Sequence, residues 1–154
     1  MSDGPRITVL DDHQRALDLM RDVLEAAGYT VSLTARTGPE LHEIRDTRPD
    51  LVIVDLLLAT DQRELSGWDV VRLVRSHADL YRVPVLVVSA DLVMLRRIAA
   101  EAQAMRDVHL LPKPFELHQL QAAVRRALGR LPDAPDGLPI PQPAGERAAD
   151  RASV

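Results

Sequence analysis

Leu51-Val52-Ile53-Val54-Asp55 is an apolar, largely β-branched run that ends on a carboxylate. Side chains of a strand point alternately to opposite faces. A strand apolar at successive positions therefore has no face to offer water and is covered on both sides, as in parallel sheets layered by helices. Two similar runs flank it in the chain, Ile7-Thr8-Val9-Leu10 and Val85-Leu86-Val87-Val88. Thr30 to Ala35 alternates, and Val108 to Leu111 is a fifth short run with strand character.

The intervening segments carry helical spacing. Leu17, Met20, Val23, Leu24 and Ala27 recur at three- and four-residue intervals between Gln14 and Ala27, and Gly28 follows where a left-handed helix cap is expected. Gly38-Pro39 reads as the opening of a second helix, with proline at the first helical position and Leu41 and Ile44 on its apolar face. Gly67–Ser76, Leu92–Met105 and Glu116–Leu128 read as the third, fourth and fifth helices. Strand and helix alternate five times. Right-handed crossovers then predict an α/β, doubly wound, five-stranded parallel sheet in a three-layer sandwich.

Length and composition agree with one domain. The chain has 154 residues, 46% hydrophobic and 27% charged, and a net charge of −4. That acidic balance and an aromatic content of 3% argue against nucleic acid as a ligand. There is no cysteine, so disulfides and thiolate metal sites are excluded. No apolar run approaches the roughly 18 residues that span a bilayer, and the first residues lack the apolar core of a signal peptide. A cytoplasmic protein without a membrane partner is expected. The folded domain is assigned to residues 1–130. Residues 131–154 are proline-rich and aperiodic, which predicts a disordered or extended tail.

Ligands of such sheets bind at the carboxyl ends of the strands. Those ends carry Asp11-Asp12, Asp55, Ser89-Ala90 and Lys113-Pro114, and Lys113 is the sole lysine of the chain. An ammonium is a compact point charge, whereas arginine is a broad planar fork, so a lone lysine suits a tight anionic site. Three clustered carboxylates repel one another unless a cation sits among them. Carboxylate and carbonyl oxygens are the ligands that Mg²⁺ prefers. One carboxylate can then act as a nucleophile toward phosphorus, with Mg²⁺ and Lys113 neutralising the transferred oxygens and the Ser89 hydroxyl giving a hydrogen bond. Taken singly, Asp55, Asp11-Asp12 and Ser89 could equally be helix caps, and the prolines loop punctuation; together at the strand ends they read as a site.

In this combination (the Asp pair, the Asp after the third strand, Ser-Ala, Lys-Pro-Phe) the sequence resembles a response-regulator receiver domain, the CheY-like family of two-component signalling, from about Arg6 to Arg130. The resemblance implies that Asp55 is the phosphoacceptor, that Asp12 ligates Mg²⁺ directly with Asp11 acting nearby through water, and that the backbone carbonyl of Leu57 is a third protein ligand. It implies that Ser89 is the switch hydroxyl, that Lys113 pairs with acceptor and then phosphate, and that the Lys113-Pro114 bond is cis. It implies a signalling domain rather than an enzyme, with auto-dephosphorylation its only turnover. The partners implied are a histidine kinase or phosphotransfer protein and a downstream protein target, with a homodimer as an option. Because no output domain is visible in the sequence, a stand-alone receiver signalling by protein contact or phosphorelay is expected.

Two departures from the family pattern keep a second reading open. Leu110 occupies the position, three before the lysine, where the family usually has an aromatic switch residue. The stretch 57–66 is longer and more polar than the family's usual loop and has no proline; Asp61 and Glu64 within it are read as solvated. The alternative is a degenerate receiver that binds its partner independently of phosphorylation. Neither an aspartate-based phosphohydrolase nor a serine hydrolase fits: the first strand ends in adjacent aspartates rather than DxD, and Ser89 has no GxSxG context. His13, His42, His77 and His118 show no metal-ligand spacing and take no phosphotransfer role in this reading.

Overall fold

The computed structural model of the chain describes residues 4–58 and 65–129. The central part of the 57–66 loop and the predicted tail lie outside the described residues. Five strands alternate with five helices: β1 Arg6–Leu10, α1 Gln14–Ala26, β2 Thr30–Thr34, α2 His42–Arg45, β3 Leu51–Asp55, α3 Gly67–Ser76, β4 Val85–Ser89, α4 Leu92–Ala104, β5 Val108–Pro112 and α5 Leu117–Ala127. All strands pair parallel, in the order β2-β1-β3-β4-β5. The doubly wound α/β sandwich predicted from the sequence is the observed fold.

Apolar runs are buried on both faces because successive residues serve different cores. Leu51, Ile53, Leu86 and Val88 join Leu17, Leu24, Leu120 and Val124, so α1 and α5 cover one face. Val52, Val54, Val85 and Val87 join Ile44, Val70, Val74 and Leu95, so α2, α3 and α4 cover the other. β3 and β4 are buried at every position.

Helix ends follow their local chemistry. Gly28 at φ 96° closes α1: its N–H bonds the Glu25 carbonyl and the Tyr29 N–H bonds that of Leu24, the pattern of a Schellman cap. Ser66 and Asp69 form a reciprocal capping box on α3. The second helix departs from expectation. Gly38 and Pro39 form a turn instead, and α2 starts at His42, after Leu41 in a left-handed conformation at φ 56°. Leu41 is fully buried. Seating that side chain in the core outweighs the local preference for a helix beginning at Pro39.

The strand order reverses between β1 and β3, which places the crevice of the sheet at their carboxyl ends. Leu10 pairs in register with Val54, so Asp11 follows level with Asp55. Ser89 pairs with Pro112, and the Lys113 N–H bonds the Ser89 carbonyl at 2.8 Å. The register alone brings the four strand ends together.

Candidate functional site

Asp11 and Asp55 are almost wholly buried, at 1% and 5% exposure. Lys113 Nζ lies 3.0 Å from Asp55 Oδ2 and 3.4 Å from Asp11 Oδ2. The other oxygen of each carboxylate has its own partner. Asp55 Oδ1 accepts the Leu57 N–H at 2.8 Å, and Asp11 Oδ1 accepts the His13 N–H at 2.9 Å. Burial pushes the Asp11 carboxyl above its ordinary range, and the charge of Asp55 adds to that push against the His13 hydrogen bond and Lys113. Burial alone would lower the Lys113 ammonium, but the hydrogen bonds and charges of Asp55 and Asp11 outweigh it and hold the group protonated.

Asp12 stands at the rim, with Oδ1 3.0 Å from His13 Nδ1. The pocket thus holds two carboxylates shut from water against one ammonium, with Asp12 beside His13 at its edge. Such a surplus of hard oxygen donors fits a divalent cation of the Mg²⁺ type. The predicted Asp11, Asp55 and Lys113 converge. Leu57 adjoins them through its backbone N–H, and its side chain is exposed.

Ser89 is fully buried at the end of β4 and accepts the Asp91 N–H on Oγ at 3.0 Å. The cap of α4 is Asp91, whose side chain accepts the Met94 N–H, so the capping alternative for Ser89 does not hold. The Lys113-Pro114 bond is cis, as the resemblance implied. Leu110 is half-buried against the core of the α3 and α4 face.

Two features of the structure lie outside the sequence expectations. The first is His13: a ligating atom of each of Asp11, His13 and Asp55 lies within 4.8 Å of the others, and its place directly after the Asp pair is the sequence signal for it. The second is a tie between helices. Trp68 Nε1 donates to Glu101 at 3.0 Å, and Arg72 donates to both oxygens of the same carboxylate. Residues separated by about a whole βα unit meet there, and no local pattern announces it.

A parallel 2-1-3-4-5 sheet whose strand ends hold buried carboxylates and a lysine defines an acidic-pocket signalling domain of the doubly wound class. The family model of the response regulator receiver domain matches residues 7–125, and the chain belongs to that family. It is 36% identical over 145 residues to the response regulator MprA of Mycolicibacterium vanbaalenii, covering 94% of this chain and 56% of that one. It is 34% identical over 135 residues to the MprA of Mycobacterium sp. strain KMS, covering 84% and 55%. The chain spans about half the length of the curated relatives it matches, so the stand-alone expectation loses the support it drew from seeing no second domain. Among solved structures, the chemotaxis protein CheY4 of Vibrio cholerae superposes with TM-score 0.68 at 21% identity, over 80% of this chain and 98% of that one. The receiver domain of a sensor histidine kinase from Pseudomonas aeruginosa superposes with TM-score 0.66 at 25% identity, over 82% and 98%; that protein holds a magnesium ion in its active site cleft. No helix among the described residues is long and apolar enough to cross a membrane.

Proposed function

We propose that the chain accepts a phosphoryl group on Asp55 from a histidine kinase or phosphotransfer protein and passes the signal on by protein contact or phosphorelay in the cytoplasm. The observation that carries this reading is the Asp55 carboxylate, buried beside Lys113 and Asp11. An Asp55 oxygen attacks phosphorus, the bond from phosphorus to the donor nitrogen breaks, and the electron pair leaves with the donor. Lys113 neutralises charge on the transferred oxygens and keeps the acceptor oriented. Asp11, Asp12, Asp55 and the Leu57 carbonyl would hold Mg²⁺, which supplies further charge neutralisation when bound. The Ser89 oxygen accepts the Asp91 N–H, its hydroxyl proton would be donated to a phosphoryl oxygen, and α4 begins at Leu92, shortly after it. The added charge, about −1.5 to −2, would bias that switch and α4 with it.

A donor protein must approach the pocket. An apolar concavity beside Lys113 supports this, formed by Met20, Phe115 and Leu120 and flanked by Leu19 at 60% and Leu117 at 56% exposure. Leu110 supports the alternative of phosphorylation-independent binding, since it lacks the ring and hydroxyl of an aromatic switch. One experiment separates the two. Intact mass spectrometry after acetyl phosphate and Mg²⁺ is expected to show a single phosphoryl adduct on the wild type and none on Asp55→Asn. An unlabelled wild type sinks the acceptor reading. Partner binding that Asp55→Asn leaves unchanged, under phosphorylating conditions, favours the alternative.

A further inference from the structure

Beyond the Mg²⁺ site proposed above, on which this rests, we propose that His13 is a ligand as well: its imidazole nitrogen joins Asp11 and Asp55 to make a mixed nitrogen and oxygen site for borderline divalent cations such as Co²⁺, Ni²⁺ or Zn²⁺. The ligating atoms of these residues already lie within 4.8 Å of one another. Although the His13 side chain is 71% exposed, its ring is turned toward the carboxylates. Nδ1 lies 3.0 Å from Asp12 Oδ1 and 3.3 Å from Asp11 Oδ1.

The ring is not spent on its local task. His13 is the N-cap of α1 but makes no side-chain cap hydrogen bond, where Ser, Thr, Asp or Asn would ordinarily bond the first-turn N–H groups. Nor does Lys113 occupy the same side of the pocket. The ammonium takes Oδ2 of Asp11 and of Asp55, whereas His13 faces Oδ1 of Asp11. A cation on the Oδ1 side displaces a hydrogen-bonded proton from the imidazole and leaves the lysine pair intact.

Ligand chemistry sets the consequence. Mg²⁺ takes oxygen donors and gains little from an imidazole. Imidazole suits Zn²⁺, Ni²⁺ and their neighbours, whose affinities rise along the first-row series. The pocket therefore discriminates among cations through a residue outside the carboxylate set.

The test is calorimetric titration of the full chain with Co²⁺ and separately Mg²⁺, at one neutral pH, on wild type, His13→Ala, His13→Gln and Asp55→Asn. Both His13 variants are expected to weaken Co²⁺ binding by about tenfold or more and Mg²⁺ binding by no more than about threefold. The visible absorption of bound Co²⁺ should change when the nitrogen is lost. Circular dichroism checks that each variant is folded, and agreement between the two His13 variants guards against a local effect of either. Equal weakening of Co²⁺ and Mg²⁺, or a Co²⁺ spectrum unchanged in the His13 variants, overturns the assignment of His13. Co²⁺ binding insensitive to Asp55→Asn places the ion at another histidine and overturns it too. A wild type that binds neither cation overturns the underlying metal site along with it.

Discussion

Lys113 sits between two buried carboxylates that share its charge, and the choice of lysine is legible in that contact. Its Nζ reaches Asp55 at 3.0 Å and Asp11 at 3.4 Å while the side chain is 24% exposed. A guanidinium would bring the same charge on a wider, planar fork with fixed donor directions. Lys113→Arg is therefore expected to remain folded yet to lose at least about tenfold in the rate of acceptance from acetyl phosphate, roughly 1.4 kcal/mol of transition-state stabilisation. Time-resolved mass spectrometry of the adduct measures it, and a rate within twofold of wild type would remove Lys113 from the mechanism. Composition singled this residue out in advance, as the sole lysine of the chain. The orientation of the His13 ring was not readable in advance, since its place after the Asp pair does not say which way the ring turns.

At the scale of elements, the approach of α3 to β3 positions Asp55, the proposed acceptor. A Cβ added at Gly67 would run into the Asp55 carbonyl oxygen and lie 2.7 Å from Leu56 Cα. Both are backbone and cannot step aside like a flexible side chain. Gly67→Ala is expected to destabilise the domain by about 2 kcal/mol and to slow acceptance at Asp55, because the clash falls on the residue proposed to carry the nucleophile. Urea unfolding and the labelling assay check the two effects; an unchanged midpoint would mean that α3 can move freely. α3 is in turn tied to α4 through Trp68, Arg72 and Glu101. The Arg72 hydrogen bond, aided by that of Trp68, holds the Glu101 carboxyl below its ordinary range. Any shift of α4 that follows Ser89 must work against or through this tie. Element order and approximate boundaries followed from periodicity, whereas α2 did not begin at Pro39, because burying Leu41 is a tertiary demand with no local signature.

Across the whole molecule, stability acquires a pH dependence through the edge strand β5. Burial pushes the His109 imidazole below its usual value; Asp107 pulls it up, and Arg126 and Arg75 add to the lowering. Its Nε2 is buried and has no hydrogen-bond partner among the described residues. The unfolded chain then binds a proton that the fold resists. The contribution of His109 is complete above its ordinary value near about 6.5 and is lost as pH falls below it toward the lowered folded value. Urea midpoints are expected to fall between pH 7.5 and pH 5, and His109→Leu is expected to flatten that dependence. A wild-type curve no steeper than that of the variant would show that β5 accommodates the charged ring.

The architecture was determined by the sequence alone, since its signals are local. Apolar β-branched runs need cover on both faces, amphipathic spacing makes helices, and a chain that alternates them winds into one parallel sheet whose carboxyl ends can be named in advance. The strand-end positions of Asp11, Asp55, Ser89 and Lys113 were therefore readable before any coordinates. Only the tertiary structure decided which oxygen faces the ammonium, where the His13 ring turns, that Asp91 caps α4 in place of Ser89, and that Glu101 binds Trp68. Each of these depends on distance and direction between groups remote in the chain, and those are set when the two cores pack.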